Sequence, residues 1–253
     1  MPQTLGSLRK ALLLIDELAR DGGDLGVSEL SRRLGLAKNQ VFRILKTLEE
    51  FDYIQQNDDK TYTLSYRFSE IGMGMLGKDD LAQQAAAAMD SLRDHTCETV
   101  NLCVRSGLQA VCIAKRESTS RVRMSAQVGR RFLPHAGACP KAIFAFQDPD
   151  VVTSAIHRYG LPQYTHNTIT NTEELSRHFQ LIRDQGYSES NEDIDEYVYA
   201  IGVPVYDRDG KVSAAISVAG PMFRFSEDIR HKALTQLLES ANRISTQRGF
   251  NGD

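Results

Sequence analysis

The sequence predicts an α+β protein in two parts, an N-terminal winged helix-turn-helix and a C-terminal antiparallel sheet covered by helices. Three observations carry this. Apolar residues recur at helical spacing in three short segments, two of them separated by a glycine-bearing turn; two β-prone runs follow; and beyond Val100 strand pairs alternate with helical segments. The 253 residues suffice for two modest domains, each with a core.

Leu8, Leu12, Ile15 and Ala19 set the apolar stripe of a first helix, ended by Asp21-Gly22-Gly23-Asp24. A second helix carries Val27, Leu30 and Leu34 and stops at Gly35. A third carries Val41, Ile44, Leu45 and Leu48. Tyr53 to Gln56 and Thr61 to Leu64, around Asn57-Asp58-Asp59-Lys60, read as the hairpin of a wing.

Tyr66 to Gly77 keeps helical spacing through Phe68, Ile71 and Met75 but is weakened by Gly72, Gly74 and Gly77, which marks a linker helix. The expected domains are residues 1–65, a linker over 66–78, and 79–253. In the last, a helix is expected from Asp80 to His95 and a hairpin from Val100 to Arg105 with Gln109 to Ala114. Further strands are expected at Val122 to Gln127, Ile201 to Tyr206 and Lys211 to Val218. Helices are expected at Ala138 to Phe146, Pro149 to Tyr159, Thr172 to Gln185 and Glu227 to Gln247. Thr170 with Glu173 matches a capping box, Gly186 a helix stop, and Ser226 a cap for the last helix.

Hydrophobic residues at 41% and charged residues at 25% exclude a disordered chain, and no apolar run reaches the ~18 residues of a membrane helix. The first residues lack the marks of a secretory signal, so the cytoplasm is the expected location. Cys97, Cys103, Cys112 and Cys139 form no C-x-x-C pair and read as reduced thiols. Thirty basic against 33 acidic residues exclude a globally basic nucleic-acid binder, so any such contact is local.

One stretch fits. Between Ser31 and Leu48 lie Arg32, Arg33, Lys38, Arg43 and Lys46 without an acidic residue. With Val41, Ile44, Leu45 and Leu48 in the core, a 100° step places Asn39, Arg43 and Lys46 opposite them, flanked by Phe42 on one side and by Gln40 and Thr47 on the other. Arg reads guanine, Asn and Gln read adenine, and an aromatic edge touches the thymine methyl, so this face has major-groove chemistry. Arg32, Arg33 and Lys38 are expected on phosphates. The plain alternative is a solvated face of a protein-binding winged helix. Asp58-Asp59 at the wing tip repel phosphate, which makes the wing a minor contact.

The chain resembles the IclR family of bacterial transcription regulators over nearly its whole length. The resemblance rests on Ser28 to Lys38 running into Val41 to Leu45, on Gly129 to His135 followed by Lys141-Ala142, on Gly186-Tyr187, and on Pro204 to Asp207 through Gly220-Pro221. It implies a GAF-like effector domain after the linker helix, and dimers or tetramers on a near-palindromic operator. It also implies an effector pocket lined by Met124, Phe132, Ala138, Cys139, Ser190, Ala200, Ser217 and Ala219. Ser190, Ala200 and Ala219 stand where members that sense small keto acids carry polar or acidic groups, so a partly apolar effector is expected.

His135 and Cys139 are four apart, which on a helix puts both on one face, and Cys103 and Cys112 fall on neighbouring strands. A thiol enzyme using Cys139, or a Cys/His metal site, is therefore the rival reading, against a buried cysteine beside a hydrogen-bonded histidine. The acidic run Glu189, Glu192, Asp193, Asp195, Glu196 reads as a solvated loop. The expectation is a ligand-responsive regulator, a repressor, with duplex DNA, a small molecule and further copies of itself as partners, and with no catalytic residue, metal or cofactor.

Overall fold

The computed structural model describes residues 5–20, 24–76, 81–124 and 127–251. The chain divides into two units, Met1–Asp80 and Leu81–Asp253.

The first unit runs α1 (Gly6–Arg20), α2 (Val27–Leu34), α3 (Lys38–Glu50), β1 (Ile54–Gln56), β2 (Tyr62–Leu64) and α4 (Arg67–Leu76). Gly35, at φ 63°, ends α2 in the left-handed conformation that favours glycine. The turn behind it is closed by Ser31, whose Oγ donates to the Leu36 carbonyl at 2.6 Å. β1 and β2 pair antiparallel, and Leu25 exchanges backbone hydrogen bonds with Tyr62. Leu14, Leu18, Leu30, Val41, Leu45, Ile54 and Tyr62 make the core.

The face of α1 turned to that core is not the expected one. Leu14 and Leu18 are buried, whereas Leu8 and Leu12 are 56% and 54% exposed. The helix is apolar around more than half its circumference, so spacing alone did not decide which stripe packs. Asp24, at φ 65°, has the positive φ expected after α1; Asp21, Gly22 and Gly23 lie outside the described residues, as does Gly77.

The second unit runs α5 (Leu81–Thr96), β3 (Thr99–Ser106), β4 (Gln109–Arg116), β5 (Arg131–Phe132), α6 (Ala138–Phe144), α7 (Pro149–Tyr159), α8 (Thr172–Gln185), β6 (Ser188–Asn191), β7 (Val198–Tyr206), β8 (Val212–Pro221) and α9 (Glu227–Gln247). Its six-stranded sheet has the order β5-β4-β3-β8-β7-β6, every pair antiparallel.

Strand alternation sorts the side chains onto two faces. Val100, Leu102, Ile201, Val203, Ile216 and Val218 pack with Met89 and Leu92 of α5 and with Leu237 and Ile244 of α9. The other face carries Cys103, Cys112 and Ala215, which pack with Ile143 and Phe144 of α6 and with Leu175 and Phe179 of α8. Burial of the large side chains among these, about 1.5–3 kcal/mol each, is the main stabilising term of the unit.

Four local expectations are corrected. Val122 to Met124 is irregular rather than strand, while Ser125 and Ala126 lie outside the described residues. Side chains there satisfy the carbonyls that a ladder would have used: Arg224 donates to Val122 O at 2.8 Å and Thr99 Oγ1 to Met124 O at 3.3 Å. The cap of α8 is Asn171, which accepts from Glu174 N at 3.0 Å, one residue beyond the expected Thr170. Ser226 stands at the cap position of α9 without a side-chain capping bond. Ser188–Asn191 is a strand where a solvated acidic loop was expected to begin.

Candidate functional site: a DNA-reading helix and a cavity

The first site is the exposed surface of α2 and α3. Arg32, Arg33, Lys38, Asn39, Gln40, Phe42, Arg43 and Lys46 are all exposed, with Val41 and Leu45 buried behind them, as the helical wheel requires. The absence of acidic residues within the stretch does not survive folding, because neighbouring turns bring carboxylates onto it. Glu29 accepts from Arg32 Nε at 3.0 Å and from Arg33 Nε at 2.6 Å, and Arg33 also reaches Glu17 at 3.2 Å. The two guanidinium groups hold the Glu29 carboxyl down at about 2, so it is ionised at any physiological pH.

Lys46 pairs with Glu49 at 2.6 Å and lies 5.9 Å from the centre of the Phe42 ring. Among the described residues Lys38 and Arg43 carry no ion pair, which leaves two unneutralised cations, one at the start and one in the middle of the reading helix. At the wing tip Asp59 accepts from Thr61 N at 3.0 Å, which keeps the carboxylate negative beside Lys60.

The second site is a narrow cavity of about 50 Å³ on the α6 face of the sheet. Its floor is made by alternate residues of four strands. Asn101 and Cys103 come from β3, Ser217 and Ala219 from β8, Ala200 from β7 and Ser190 from β6. The register puts Asn101 beside Ser217, Ala200 beside Ala219 and Ser190 beside Ala200. Small side chains at these positions leave the space open. Ala138, Cys139 and Pro140 of α6 close one side, and Met124, Phe132 and Ile194 close the rest. All eight residues that the family resemblance pointed to thus lie on the wall of one cavity.

Two glycines set its shape. A Cβ on Gly202 would lie 2.8 Å from the Ala138 backbone, so the start of α6 seats directly on β7. Gly137, at φ 92°, turns the chain into α6, and a Cβ there would lie 2.8 Å from Ile194 Cδ1.

Behind the wall sits a polar network that spacing did not reveal. Lys141 of α6 and Asp193 form a buried ion pair, and the same carboxylate accepts from Gly137 N at 3.1 Å and from Ser190 Oγ. Asp193 was expected in a solvated loop. Only the fold shows that Lys141, 52 residues away, meets it.

Three thiols gather at the other end. Cys103 and Cys112 are partners across β3 and β4. The Cys103 thiol contacts the Cys112 and Cys139 thiols, and these contacts together with burial raise it well above its usual range, while Cys112 is lowered by its bond with Cys103. His135 and Cys139 do not share a helix face as expected. His135 precedes α6, its Nε2 bonds the Pro162 carbonyl at 2.9 Å, and its ring stacks on Tyr164. Among the described residues no group of three or more His, Cys, Asp or Glu is arranged to hold a metal ion.

A winged helix-turn-helix with an exposed reading face, joined in one chain to a sheet domain that holds a cavity, defines a DNA-binding regulator with an effector-binding domain. Comparison with known proteins makes this specific. Residues 7–58 match the IclR helix-turn-helix domain, and residues 73–246 match the family described as bacterial transcriptional regulator IclR C-terminal. The chain belongs to the IclR family.

It is 34% identical over 250 residues to the HTH-type transcriptional regulator KdgR of Dickeya chrysanthemi, covering 98% of this chain and 82% of that one. It is 31% identical to the HTH-type transcriptional repressor AllR of Escherichia coli (strain K12), covering 96% and 90%. An IclR homolog from Microbacterium hydrocarbonoxydans, solved in complex with 4-hydroxybenzoate, shares the fold with a TM-score of 0.83 at 21% identity, over 95% of this chain and 98% of that one. The family is one of transcriptional regulators rather than enzymes, as the names of KdgR and AllR also say, and the thiol-enzyme alternative finds no support. No helix among the described residues is long and apolar enough to cross a membrane.

Proposed function

We propose that the chain is a cytoplasmic repressor that sits on its operator as a dimer or tetramer and is released when a small, partly apolar metabolite fills the cavity. The observation that carries the reading is the convergence of Met124, Phe132, Ala138, Cys139, Ser190, Ala200, Ser217 and Ala219 on one cavity with an apolar lining and a few polar groups. Repression is supported by relatives such as AllR that bear that name.

On the DNA side, Arg43 reads a base from the centre of α3, with Asn39, Gln40 and Phe42 beside it and Lys46 on the flank. Lys38 holds phosphate. Arg32 and Arg33 hold phosphate only where the DNA displaces Glu29, so they contribute less than the linear sequence implies. One reading helix covers too few base pairs for useful specificity, which supports pairing of two heads. The exposed apolar residues Leu8 and Leu12 of α1, with Leu5 just before it, support a second copy as their cover. The segment 66–78 then links the DNA-binding domain 1–65 to the effector domain 79–253. An effector that prefers one arrangement of the paired heads shifts operator affinity by its differential affinity, about 1–3 kcal/mol.

The test is footprinting on the DNA upstream of the protein's own gene, with and without metabolites handled by neighbouring genes. A protected near-palindrome that is lost on adding one metabolite is the expected result. Ligand-insensitive protection would leave a DNA-binding scaffold instead.

A further inference from the structure

Three cysteines meet on the wall of the cavity, and the function proposed above makes no use of their sulfur chemistry. Cys103, Cys112 and Cys139 are 2%, 1% and 4% exposed and all line it, so what reaches them comes through it. A water molecule needs about 10–15 Å³ of such space. At about 50 Å³ the cavity therefore admits a molecule of a few heavy atoms and not a tripeptide.

Strand register fixes which two thiols can join. Cys103 of β3 lies opposite Cys112 of β4. The backbone groups of Cys112 turn the other way: its N–H donates to the Arg130 carbonyl at 3.0 Å and its carbonyl accepts from Gly129 N at 2.7 Å. The pair therefore faces across the ladder at the closer of the two cross-strand spacings, with Cα atoms typically about 4.5 Å apart. A disulfide spans about 4.4–6.8 Å, and the bulge at Leu102/Cys103 gives β4 one residue of slack beside the pair. Cys139 is held apart on α6, its Sγ against the carbonyls of Ala215 and Asn101.

We infer that Cys103 and Cys112 are an oxidation site for small hydroperoxides, which enter the cavity and convert the pair to a disulfide. Cys112 is the nucleophile, because its bond with Cys103 lowers it while the two neighbouring thiols and burial hold the proton on Cys103. The Cys112 thiolate attacks one peroxide oxygen and the O–O bond breaks. The other oxygen takes up the thiol proton and leaves as an alcohol, or as water from hydrogen peroxide. The Cys103 sulfur then attacks the sulfenic acid on Cys112, whose oxygen leaves as water with the Cys103 proton. Two electrons pass from the sulfurs to the peroxide, and no further reactant is needed. The bond draws Cys103 away from Cys139, so oxidation reshapes the end of the cavity under α6. The inference does not depend on which molecule is the effector.

The experiment uses the full chain with Cys97→Ser, which removes the exposed thiol and leaves one cysteine in each of three tryptic peptides. These are Asp94–Arg105 with Cys103, Ser106–Lys115 with Cys112 and Phe132–Lys141 with Cys139. Folded protein is treated with hydrogen peroxide or with oxidised glutathione, unfolded in N-ethylmaleimide, digested, and read by mass spectrometry. The expected result is that peroxide joins the first two peptides with the loss of two hydrogens, that dithiothreitol separates them, and that Cys139 is recovered alkylated. Oxidised glutathione, too large for the cavity, is expected to give about tenfold less of the joined pair. Cys103→Ser and Cys112→Ser should each lose it; the joined peptides are read without either variant, so a folding failure there does not affect the outcome. Recovery of both cysteines alkylated and unlinked after peroxide overturns the inference, as does a bond from Cys103 to Cys139. Equal joining by oxidised glutathione overturns entry through the cavity.

Discussion

Asp193 and Lys141 meet inside the second unit with side chains only 4% and 3% exposed, and the carboxylate also holds the Gly137 N–H that starts α6. The pair therefore ties the segment after β6 to the helix that closes the cavity. Buried pairs add little net stability when complete, but removing one partner strands the other charge. Asp193→Asn is expected to cost about 3–5 kcal/mol, and Asp193→Asn with Lys141→Met to recover much of it. Denaturant unfolding of both variants checks this. A single variant as stable as wild type would mean the pair is not buried in solution.

Arg43 and Lys38 are expected to behave differently although both are unpaired cations on α3. Arg43→Ala should cost about 1–3 kcal/mol and relax preference at one base position. Lys38→Ala should weaken all sequences alike and flatten the salt dependence. Arg32→Ala, whose charge Glu29 already neutralises, should flatten it less than Lys38→Ala. Competition binding on operator variants over a salt series separates the three. Unchanged base discrimination by Arg43→Ala would remove it from the reading face.

The helix-turn-helix, the wing and the helices Pro149–Tyr159, Thr172–Gln185 and Glu227–Gln247 were legible because local signals set them: periodic apolar residues, and glycine stops at Gly35 and Gly186. The core face of α1 was not, since Leu8 and Leu12 are as apolar as Leu14 and Leu18 and only packing chooses between them. Nor was the Lys141–Asp193 pair, whose members are far apart in sequence. The cavity wall came from resemblance rather than spacing. That Asn101 and Ser217 are neighbours on this wall appears only when β3 and β8 are set side by side.

The proposed pairing of two chains rests on the reading face and on the exposed Leu8 and Leu12 of α1. Light scattering is expected to give a mass of two or four chains, and Leu8→Glu with Leu12→Glu to lower it or to weaken operator binding by about tenfold or more, because an exposed apolar stripe is a contact in waiting. A monomer at all concentrations that still binds its operator tightly would falsify the pairing.

Cys139 distinguishes a pocket wall from a reactive centre. Its Sγ contacts the carbonyls of Ala215 at 3.5 Å and Asn101 at 3.9 Å, and the neighbouring His135 is engaged with Pro162. Without a base beside it the thiol is a packing group. Cys139→Ser is expected to shift effector affinity by less than about tenfold and to leave operator binding by the free protein unchanged. A gel-shift titration with thiol-labelling rates against pH would show this. Loss of all response in the Ser variant, with rapid labelling of the wild-type thiol near neutral pH, would reopen the enzyme reading.

Acid sensitivity is expected from two histidines of the effector domain. Burial lowers His178 to about 4, helped by Lys141 and opposed by Asp193 and Glu189, and among the described residues its Nε2 has no partner. Burial likewise lowers His135, against the pull of the Pro162 carbonyl. In the unfolded chain both take up a proton near 6.5. Between 6.5 and about 4 the unfolded state therefore binds more protons than the folded one, so stability rises with pH across that window. The contribution is complete above 6.5 and is lost as pH falls towards the folded values, with a ceiling of about 3 kcal/mol from His178. Denaturant midpoints measured between pH 7 and about 5, above most carboxylate titration, should fall with acid, and His178→Gln should flatten the fall. A midpoint that rises on acidification over this range would show that His178 is charged in the folded protein, and the buried, uncharged assignment would be abandoned.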